Sequence, residues 1–442
     1  MKTVVVVGGG TAGATAASRA KRLCPQCRVV LVEASRYITH APCAIPYAIG
    51  GFAQGEIWLY SEEEFESERG VEVYTETRAV DVAGDKVFLE GKLGGSLRFD
   101  VLVVAVGARP AVPKVEGVEL EGVLPVRGVE VVDKAKRLLQ GARDVAVVGA
   151  GYIGVEMADV LAQMGKRVVL IDGSPRPLAK SLDPDMSAVV ARYMGERVEL
   201  RLGERLVRIG GEGGRARYVE TDGGRYPADV VFLATGVRPN VDLALKAGAR
   251  LGQTGAVEVN EYMETAAPAV YAAGDVAEAR HAVTGEPVWI PLAIYANKMG
   301  CVAGTNAGLG RRAISFPPVA GASVTKFLDM YIGSTGLTEE EARRRGIYGN
   351  SISISATDKA RYMKGAVDVT LKAVVDREGR LVGMQIVGRT PSVGGLVDLA
   401  TQFLGRPVED MFKAEYSYMP FTASPWHPFT IIARLYLRER LR

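Results

Sequence analysis

One glycine pattern occurs twice in the chain, each time between two apolar runs. In the first copy, residues 4–7 precede Gly8, Gly10 and Gly13, which form GxGxxG, and residues 29–32 form the second run. In such a unit the first glycine makes a tight turn, the second lets the backbone approach a pyrophosphate, and the third lets the helix pack on the strand. The N-terminus of that helix presents free N–H groups to the phosphates. The pattern therefore predicts a dinucleotide site on a parallel sheet.

An acidic residue completes this first unit. Glu33 directly follows the second apolar run, where a carboxylate can accept hydrogen bonds from ribose hydroxyls. A lone GxGxxG is a weak signal, but both strands and the acid are in place here. We therefore favour a bound dinucleotide over a glycine-rich turn without a ligand.

The second copy repeats each feature. Gly149, Gly151 and Gly154 follow the apolar residues 145–148, and Asp172 closes the run at residues 168–171. Two units in one chain predict two dinucleotides, one tightly held and one exchanging. Asp172 favours NADH, because a carboxylate repels the 2′-phosphate of NADPH. Arg176 stands nearby and can accept that phosphate, so both nucleotides remain open.

The two halves also share a later strand. Residues 101–107 and 230–236 are similar apolar runs that end in glycine, and both lead to Arg-Pro. Residues 270–275 form a short strand that ends in Gly-Asp. Pro291 is expected to open a helix that runs to Leu309, since proline suits a first helical turn.

A third domain is predicted from about Ser323. Alternating strands at residues 367–375 and 381–387 accompany a helix that Thr338 caps, with Glu341 three residues later. The final helix, residues 429–441, is amphipathic and favours core packing or dimerisation over membrane contact. This part of the chain is predicted to be α+β.

Bulk composition limits the other possibilities. At 442 residues the chain is too long for one ordinary core. A net charge of +3 gives no reason to expect nucleic-acid binding or electrostatic membrane attachment. No apolar stretch approaches the roughly 18 residues of a membrane helix. We expect a cytoplasmic protein, because four cysteines do not make a secreted disulfide scaffold at this length.

The cysteines have different interpretations. Cys43, in THAPCAIPYAIGG, follows the first unit and can lie against a flavin ring, although free cysteines are usually small buried residues. Cys24 and Cys27 form CPQC, for which a surface turn or an occasional disulfide is favoured over a metal site, because no second pair exists. Cys301 lies in an apolar helical segment and is interpreted as a core residue.

Together these features resemble the pyridine nucleotide-disulfide oxidoreductases with two glycine fingerprints, over essentially the whole chain. The resemblance implies an α/β fold with two Rossmann-like, three-layer domains and a C-terminal α+β dimerisation domain. The FAD-binding domain would comprise residues 1–112 and 243–322, the NAD(P)H-binding domain 113–242 and the dimerisation domain 323–442.

The resemblance also implies which residues bind the two nucleotides. Gly274-Asp275 would bond the ribityl chain of FAD, and the helix after Pro291 would face the pyrimidine edge of the flavin. The implied cofactor-binding residues are Gly8, Gly10, Thr11, Ala12, Gly13, Glu33, Ala34, Gly107, Gly149, Gly151, Tyr152, Ile153, Gly154, Glu156, Asp172, Gly236, Gly274, Asp275, Pro291, Leu292 and Ala293.

Within the family, the chain resembles the single-cysteine branch. Ala48 stands five residues after Cys43, where two-cysteine members carry their second cysteine. HAPCAIP is similar to archaeal coenzyme A-disulfide reductases and related NADH oxidases. Catalysis would use Cys43 together with Tyr362 and Tyr418, which would reach in from the partner subunit of a homodimer. The implied contacts to coenzyme A are Thr15, Arg19, Arg22, Thr39 and Asn297.

Three positions depart from the family pattern. Ala44 replaces a glycine, Met363 replaces a proline, and His427 lacks the glutamate that accompanies a proton-donating histidine in two-cysteine members. These departures do not change the predicted fold or cofactors; they weaken the assignment of the substrate.

The predicted function is FAD-dependent reduction of coenzyme A disulfide by NADH or NADPH, or of a related persulfide or polysulfide, through Cys43. One alternative is an NADH oxidase or peroxidase, in which Cys43 forms a sulfenic acid or oxygen reaches the flavin. Others are a reductase of a small electron-carrier protein and a redox sensor with little turnover. No metal, nucleic acid or membrane partner is expected. The physiological acceptor, the choice between NADH and NADPH, and a dimer or tetramer remain open.

Overall fold

The computed structural model describes residues 1–440. Residues 441 and 442, where the last helix and the last domain were predicted to end, lie outside the described part of the chain. Across residues 1–440, every helix is too short or too polar to traverse a lipid bilayer.

The first segment builds a parallel sheet from the predicted apolar strands. Its elements are β1 (Thr3–Val7), α1 (Thr11–Leu23), β2 (Arg28–Val32), β3 (Ile38–His40), α2 (Ile45–Ile49), β4 (Trp58–Tyr60), α3 (Glu62–Arg69), β5 (Glu72–Tyr74), β6 (Thr77–Ala83), β7 (Lys86–Gly91), β8 (Gly95–Arg98), β9 (Val101–Val104) and β10 (Ala108–Pro110). Strand β1 pairs in parallel with β2 and β9, and its valines are almost completely buried because both faces of the sheet are covered.

The second segment repeats this arrangement. Its elements are β11 (Val123–Pro125), α4 (Glu130–Gly141), β12 (Asp144–Val148), α5 (Tyr152–Gln163), β13 (Arg167–Asp172), α6 (Pro184–Gly195), β14 (Glu199–Leu202), β15 (Leu206–Glu212), β16 (Arg215–Thr221), β17 (Arg225–Pro227), β18 (Val230–Leu233), β19 (Val237–Pro239) and α7 (Asp242–Lys246). Its parallel sheet has the order β11-β18-β12-β13-β14. The two Arg-Pro segments noted in the sequence pair with each other, as antiparallel β10 and β19.

The chain then returns to the first sheet. The elements of this third segment are β20 (Val270–Ala272), β21 (Ala279–Arg280), β22 (Pro287–Val288) and α8 (Ala293–Leu309). Strand β20 pairs with β9, which gives the first sheet the order β20-β9-β1-β2-β5, the counterpart of the second. The four strands β9-β1-β2-β5 and β18-β12-β13-β14 therefore follow the same order, as expected of two Rossmann-like units. The edge strands differ, because β20 comes last in its sheet along the chain and β11 comes first.

One predicted boundary in this segment is wrong. The helix begins at Ala293 instead of Pro291. Leu292 has extended backbone angles, φ −119° and ψ 138°, so the chain becomes helical only after it. Proline fixes its own φ but does not force the following residue into a helix.

The last segment forms the predicted α+β domain. Its elements are β23 (Ser323–Phe327), β24 (Met330–Gly336), α9 (Glu339–Arg344), β25 (Tyr348–Thr357), β26 (Asp368–Asp376), β27 (Leu381–Gly388), α10 (Ser392–Phe403), α11 (Asp410–Lys413) and α12 (Pro428–Arg440). The antiparallel sheet has the order β23-β24-β27-β26-β25. The predicted cap of α9 is confirmed, because Thr338 and Glu341 form a reciprocal capping box.

The predicted fold class is confirmed: two Rossmann-like parallel units precede an α+β domain with an antiparallel sheet. The exact domain boundaries stay predictions. The boundary after residue 112 falls between β10 and β11, and the one after residue 322 falls between α8 and β23, whereas the one after residue 242 falls in α7.

Candidate active site

The outer glycines of each fingerprint are required by the backbone. Gly8 and Gly149 have φ of +102° and +108°, which favours glycine, and a Cβ at either would overlap a backbone carbonyl. A Cβ at Gly13 or Gly154 would overlap the carbonyl oxygen of Gly8 or Gly149, respectively. These four residues therefore let α1 and α5 approach their strands closely.

The central glycines face open space. Gly10 and Gly151 line a cavity of about 2860 Å³, and a Cβ at either would meet no protein atom within 4 Å. Each directly precedes a helix, α1 or α5, whose first two residues line the same space. The geometry fits a pyrophosphate at each fingerprint, where any side chain would occupy its position.

The acidic residues end the second strand of each unit in the same way. Glu33 accepts hydrogen bonds from the backbone N–H groups of Gly9, at 2.5 Å, and Ser35, at 2.6 Å. At the end of β13, the Asp172 carboxylate likewise accepts two backbone hydrogen bonds at 2.6 Å. Both carboxylates are thus fixed beside a glycine turn, as ribose recognition requires.

Nearly all predicted cofactor residues share this one cavity. Gly13 and Gly154 do not line it, because each lies where its helix packs against a strand. The residues that do are Gly8, Gly10, Thr11, Ala12, Glu33, Ala34, Gly107, Gly149, Gly151, Tyr152, Ile153, Glu156, Asp172, Gly236, Gly274, Asp275, Pro291, Leu292 and Ala293. Cys43 also lines the cavity, so this cysteine and both fingerprints border one continuous space.

Asp275 has a partner that the sequence did not reveal. Its carboxylate lies 3.0 Å from the guanidinium of Arg127, and both side chains are mostly buried. The indole of Trp289 donates to the Asp275 backbone oxygen at 2.9 Å. Arg127 lies 148 residues from Asp275, so no local pattern could have indicated the pair.

Thr39 adopts an unusual conformation beside the cavity. Its φ is +55°, which is rare for a threonine, and its N–H donates to Gly9 at 2.8 Å. Its hydroxyl oxygen is buried and has no hydrogen-bond partner within residues 1–440. Thr39 does not line the cavity, so the structure does not bring its hydroxyl into the space that Cys43 borders.

Cys43 lies in a short 3₁₀ turn, Pro42–Ala44, directly before α2. The residue is exposed, so it is not the small core residue of the alternative interpretation. Tyr47 follows one helical turn later. Burial raises the pKa of Tyr47, and the nearby Glu156, Asp159 and Cys43 act in the same direction, so its hydroxyl stays protonated at neutral pH.

Glu156 lies on the cavity face of α5 and contacts the C-terminal domain. Thr325 of β23 donates to its carboxylate at 3.0 Å. Burial raises the pKa of Glu156 to about 7; the Thr325 hydrogen bond opposes this shift, and Asp159 adds to it. Glu156 therefore changes charge near neutral pH, at the second fingerprint.

Tyr362 and Tyr418 lie together but away from Cys43. Their hydroxyl oxygens are 3.0 Å apart, and the hydrogen bond between them raises the pKa of Tyr418. Both side chains are exposed, and neither lines the cavity of its own chain. The pair was expected to act in a partner subunit, and its position leaves that prediction open.

The predicted coenzyme A residues follow the α1–α8 helix pair. The Thr15 hydroxyl lies 3.2 Å from the side-chain oxygen of Asn297, and Arg19 donates to Thr305 at 3.1 Å. Arg22 is exposed beyond them and lines a smaller crevice with Lys21, which does not join the main cavity. The structure thus brings Thr15 and Asn297 together, and places Arg22 at the end of the same helix.

The remaining cysteines are not part of the cavity. Cys24 and Cys27 form a disulfide, as one of the favoured interpretations predicted; both cysteines are buried, whereas Pro25 and Gln26 in the turn between them are exposed. Within residues 1–440, no group of three or more histidine, cysteine or acidic side chains is arranged to hold a metal ion. Cys301 is half-buried instead of fully in the core.

His427 packs among aromatic side chains and does not line the cavity that Cys43 borders. Its Nδ1 accepts a hydrogen bond from the N–H of Phe429 at 3.3 Å, and its ring stacks on Tyr416 at 3.9 Å. Burial lowers the pKa of His427 to about 4, so the ring is neutral at physiological pH. In this position it stabilises the start of α12.

Comparisons with known proteins agree with this geometry. The family described as pyridine nucleotide-disulphide oxidoreductase matches residues 2–300, and its dimerisation domain matches residues 322–421. A CoA-dependent NAD(P)H sulfur oxidoreductase of Pyrococcus abyssi is 42% identical over 443 residues, 98% of each chain. An NADH oxidase of Methanocaldococcus jannaschii is 35% identical over 447 residues, again 98% of each. A solved NAD-dependent persulfide reductase from A. fulgidus has a TM-score of 0.95 and 33% identity, covering 99% of this chain and 83% of that one.

Proposed function

Because the chain belongs to the pyridine nucleotide-disulphide oxidoreductase family and is a flavoprotein NAD(P)H-dependent reductase, we propose that it reduces a coenzyme A-linked sulfur substrate through Cys43. The substrate class comprises coenzyme A disulfide and the related persulfide or polysulfide. The observation that carries the proposal is the position of Cys43, exposed in the cavity that both nucleotide fingerprints border.

The two fingerprints would hold different nucleotides. Gly8, Gly10 and Glu33 would hold FAD, with Asp275 oriented toward the ribityl chain by Arg127. The second fingerprint and Asp172 would hold NADH or NADPH. FAD, when bound, supplies a two-electron relay between the nicotinamide and sulfur.

Cys43 would exchange sulfur with the substrate. Its thiolate attacks one sulfur of coenzyme A disulfide, which forms a Cys43–coenzyme A disulfide and releases one coenzyme A thiolate. Two electrons from NAD(P)H and a proton then reduce that mixed disulfide to the Cys43 thiolate and a second coenzyme A thiol. One cysteine suffices, because coenzyme A supplies the other sulfur of the redox pair.

The tyrosine pair would assist from a second copy of the chain. Since Tyr362 and Tyr418 hydrogen-bond to each other, one hydroxyl hydrogen remains available to the leaving thiolate. The exposure of the pair is expected of residues that lie in the active site of a partner in a homodimer.

The coenzyme A moiety would lie along α1 and α8. Thr15 and Asn297, which meet between the two helices, and Thr39 would contact it, and Arg19 and Arg22 would bind its phosphates. Arginine side chains bind phosphate strongly and with defined geometry. The names of two relatives, a CoA-dependent sulfur oxidoreductase and a persulfide reductase, support this substrate class.

Consumption of NADH under strict anaerobiosis, with and without coenzyme A disulfide, tests the proposal. Rapid turnover that depends on the disulfide is expected, and coenzyme A persulfide should also serve as acceptor. Activity restricted to air or peroxide would contradict it. That result would favour the second candidate, an NADH oxidase, for which the similarity to the M. jannaschii enzyme is the supporting observation.

A further inference from the structure

Asp172 defines the adenosine end of the second nucleotide site. Its two carboxylate oxygens accept hydrogen bonds from the N–H groups of Ala150 and Ser174, both at 2.6 Å. A carboxylate held in this way can bind ribose hydroxyls and repels a 2′-phosphate. NADPH therefore needs a cation close to Asp172 to bind as well as NADH.

Arg176 is a cation at this end of the cavity, but another group already binds it. Its side chain lines the cavity and is only 18% exposed. The guanidinium forms an ion pair with the carboxylate of Glu340 and lies 3.5 Å from the carbonyl oxygens of Ala179 and Leu182. Its charge is therefore already paired, and its Nε and Nη2 already face acceptors within the protein.

Contacts between domains fix the position of Glu340. It lies in the first turn of α9, where the N–H groups of Glu339 and Glu340 donate to Asp183 at 2.9 and 3.1 Å. Asp183 is buried and lies 3.4 Å from the ammonium of Lys372. These bonds attach α9 to the segment before α6, so the C-terminal domain presents Glu340 to the nucleotide domain.

We propose that Glu340 is a specificity-determining residue that favours NADH by occupying Arg176, the cation that a 2′-phosphate would need. The inference rests on the assignment of the second fingerprint to NAD(P)H in the proposed function. Glu340 lies in a different domain from the second fingerprint and is 164 residues from Arg176 in the sequence.

Release of Arg176 is energetically accessible. The Glu340 side chain is 48% exposed, and ion pairs of this kind contribute little to stability. Removal of its carboxylate would free the guanidinium and remove a repulsive charge. Lys180 and Arg205 also line the cavity. If NADPH bound more tightly after the carboxylate was removed, a general increase in positive potential around these residues would be the competing explanation.

Anaerobic stopped-flow measurement of flavin reduction by NADH and by NADPH tests the proposal without any sulfur acceptor. In Glu340→Gln, the second-order rate constant for NADPH is expected to rise about fivefold through tighter binding, while that for NADH changes less than about twofold. The limiting rate of flavin reduction should not change. Glu340→Ala provides a second variant, with bound FAD and the melting temperature as checks of folding.

The double variant Glu340→Gln/Arg176→Gln should lose the increase in the NADPH rate constant. Glu378→Gln is the matched control, because Glu378 also pairs with an arginine, Arg380, on the surface of the same domain. Unchanged selectivity in both Glu340 variants, a gain that persists without Arg176, or an equal gain in Glu378→Gln would each overturn the inference. If neither nucleotide reduced the flavin of the native protein, the proposed function would fail and this inference with it.

Discussion

Glu156 is a mostly buried carboxyl group whose pKa is lowered by a hydrogen bond from one neighbouring hydroxyl and by the charge of Lys326, and raised by Asp159. Burial raises its pKa to about 7, and the hydrogen bond from Thr325 holds the pKa below the value that burial alone would give. The charged form is the one that this hydrogen bond stabilises. At neutral pH the second nucleotide site therefore contains both forms of Glu156.

Replacement of Thr325 by valine should raise the pKa of Glu156. The change keeps the shape of the side chain and removes the donor to the carboxylate, so the protonated form gains relative to the charged form. We expect the pH midpoint of NADH-dependent flavin reduction to move upward by about one unit. Rapid-reaction kinetics between pH 5 and 9 would measure it.

Ser323→Ala is the control for this experiment. Ser323 lies on the same strand but hydrogen-bonds to Tyr152 instead of Glu156, so its loss should leave the midpoint in place. A midpoint that stays constant or falls in Thr325→Val would contradict the assigned role of the hydrogen bond.

Among the elements, helices α1 and α8 can pack closely only because small residues line their contact. A Cβ at Gly300 or Gly304 of α8 would overlap the backbone of Ala12 or Ala16 of α1. This close approach places Thr15 of α1 next to Asn297 of α8. The same packing thus supports both the first nucleotide site and the proposed coenzyme A groove.

Gly304→Ala should destabilise the protein by about 1–3 kcal/mol, because the added methyl group must push α8 away from α1. Gly395→Ala is the matched control in α10, where a Cβ meets no atom within 4 Å. There the higher helix propensity of alanine should be neutral or stabilising by up to about 1 kcal/mol. Thermal unfolding of the two variants would measure the contrast; equal effects would show that the helix contact is looser than described.

Local patterns predicted the elements well where one segment contains the whole signal. Both strand–glycine–helix units and the capping box at Thr338 depend on residues within a few positions of each other. The start of α8 was misplaced because Leu292 keeps an extended backbone after Pro291. Long-range partners were missed for a different reason: Arg127 and Thr325 lie 148 and 169 residues from the carboxylates they contact, so only the folded chain defines those contacts.

For the whole molecule, the main consequence of the fold is that one chain does not bring together the residues of the proposed active site. Cys43 lies in the cavity between the two Rossmann-like units, whereas Tyr362 and Tyr418 are exposed on the C-terminal domain. Phe421 and Trp426 are also exposed, at 65% and 51%, beside Tyr418 in the sequence. An exposed aromatic surface of this kind favours burial against a second copy.

Complementation between subunits would test this arrangement. Cys43→Ser and Tyr418→Ala chains should each have low disulfide reductase activity alone. When they are mixed and allowed to exchange subunits, half of the dimers should be mixed and contain one complete site. About a quarter of native activity is therefore expected. Activity that stays at the level of the separate variants would show that the tyrosine acts within its own chain or not at all.

The covalent state of Cys43 tests the central claim most directly. Intact-protein and peptide mass spectrometry after anaerobic incubation with coenzyme A disulfide should show one coenzyme A per chain, attached to the peptide that contains Cys43. NADH should remove it, and Cys43→Ser should not acquire it. No adduct, an adduct on Cys301, or an adduct that NADH leaves in place would contradict a sulfur relay through Cys43.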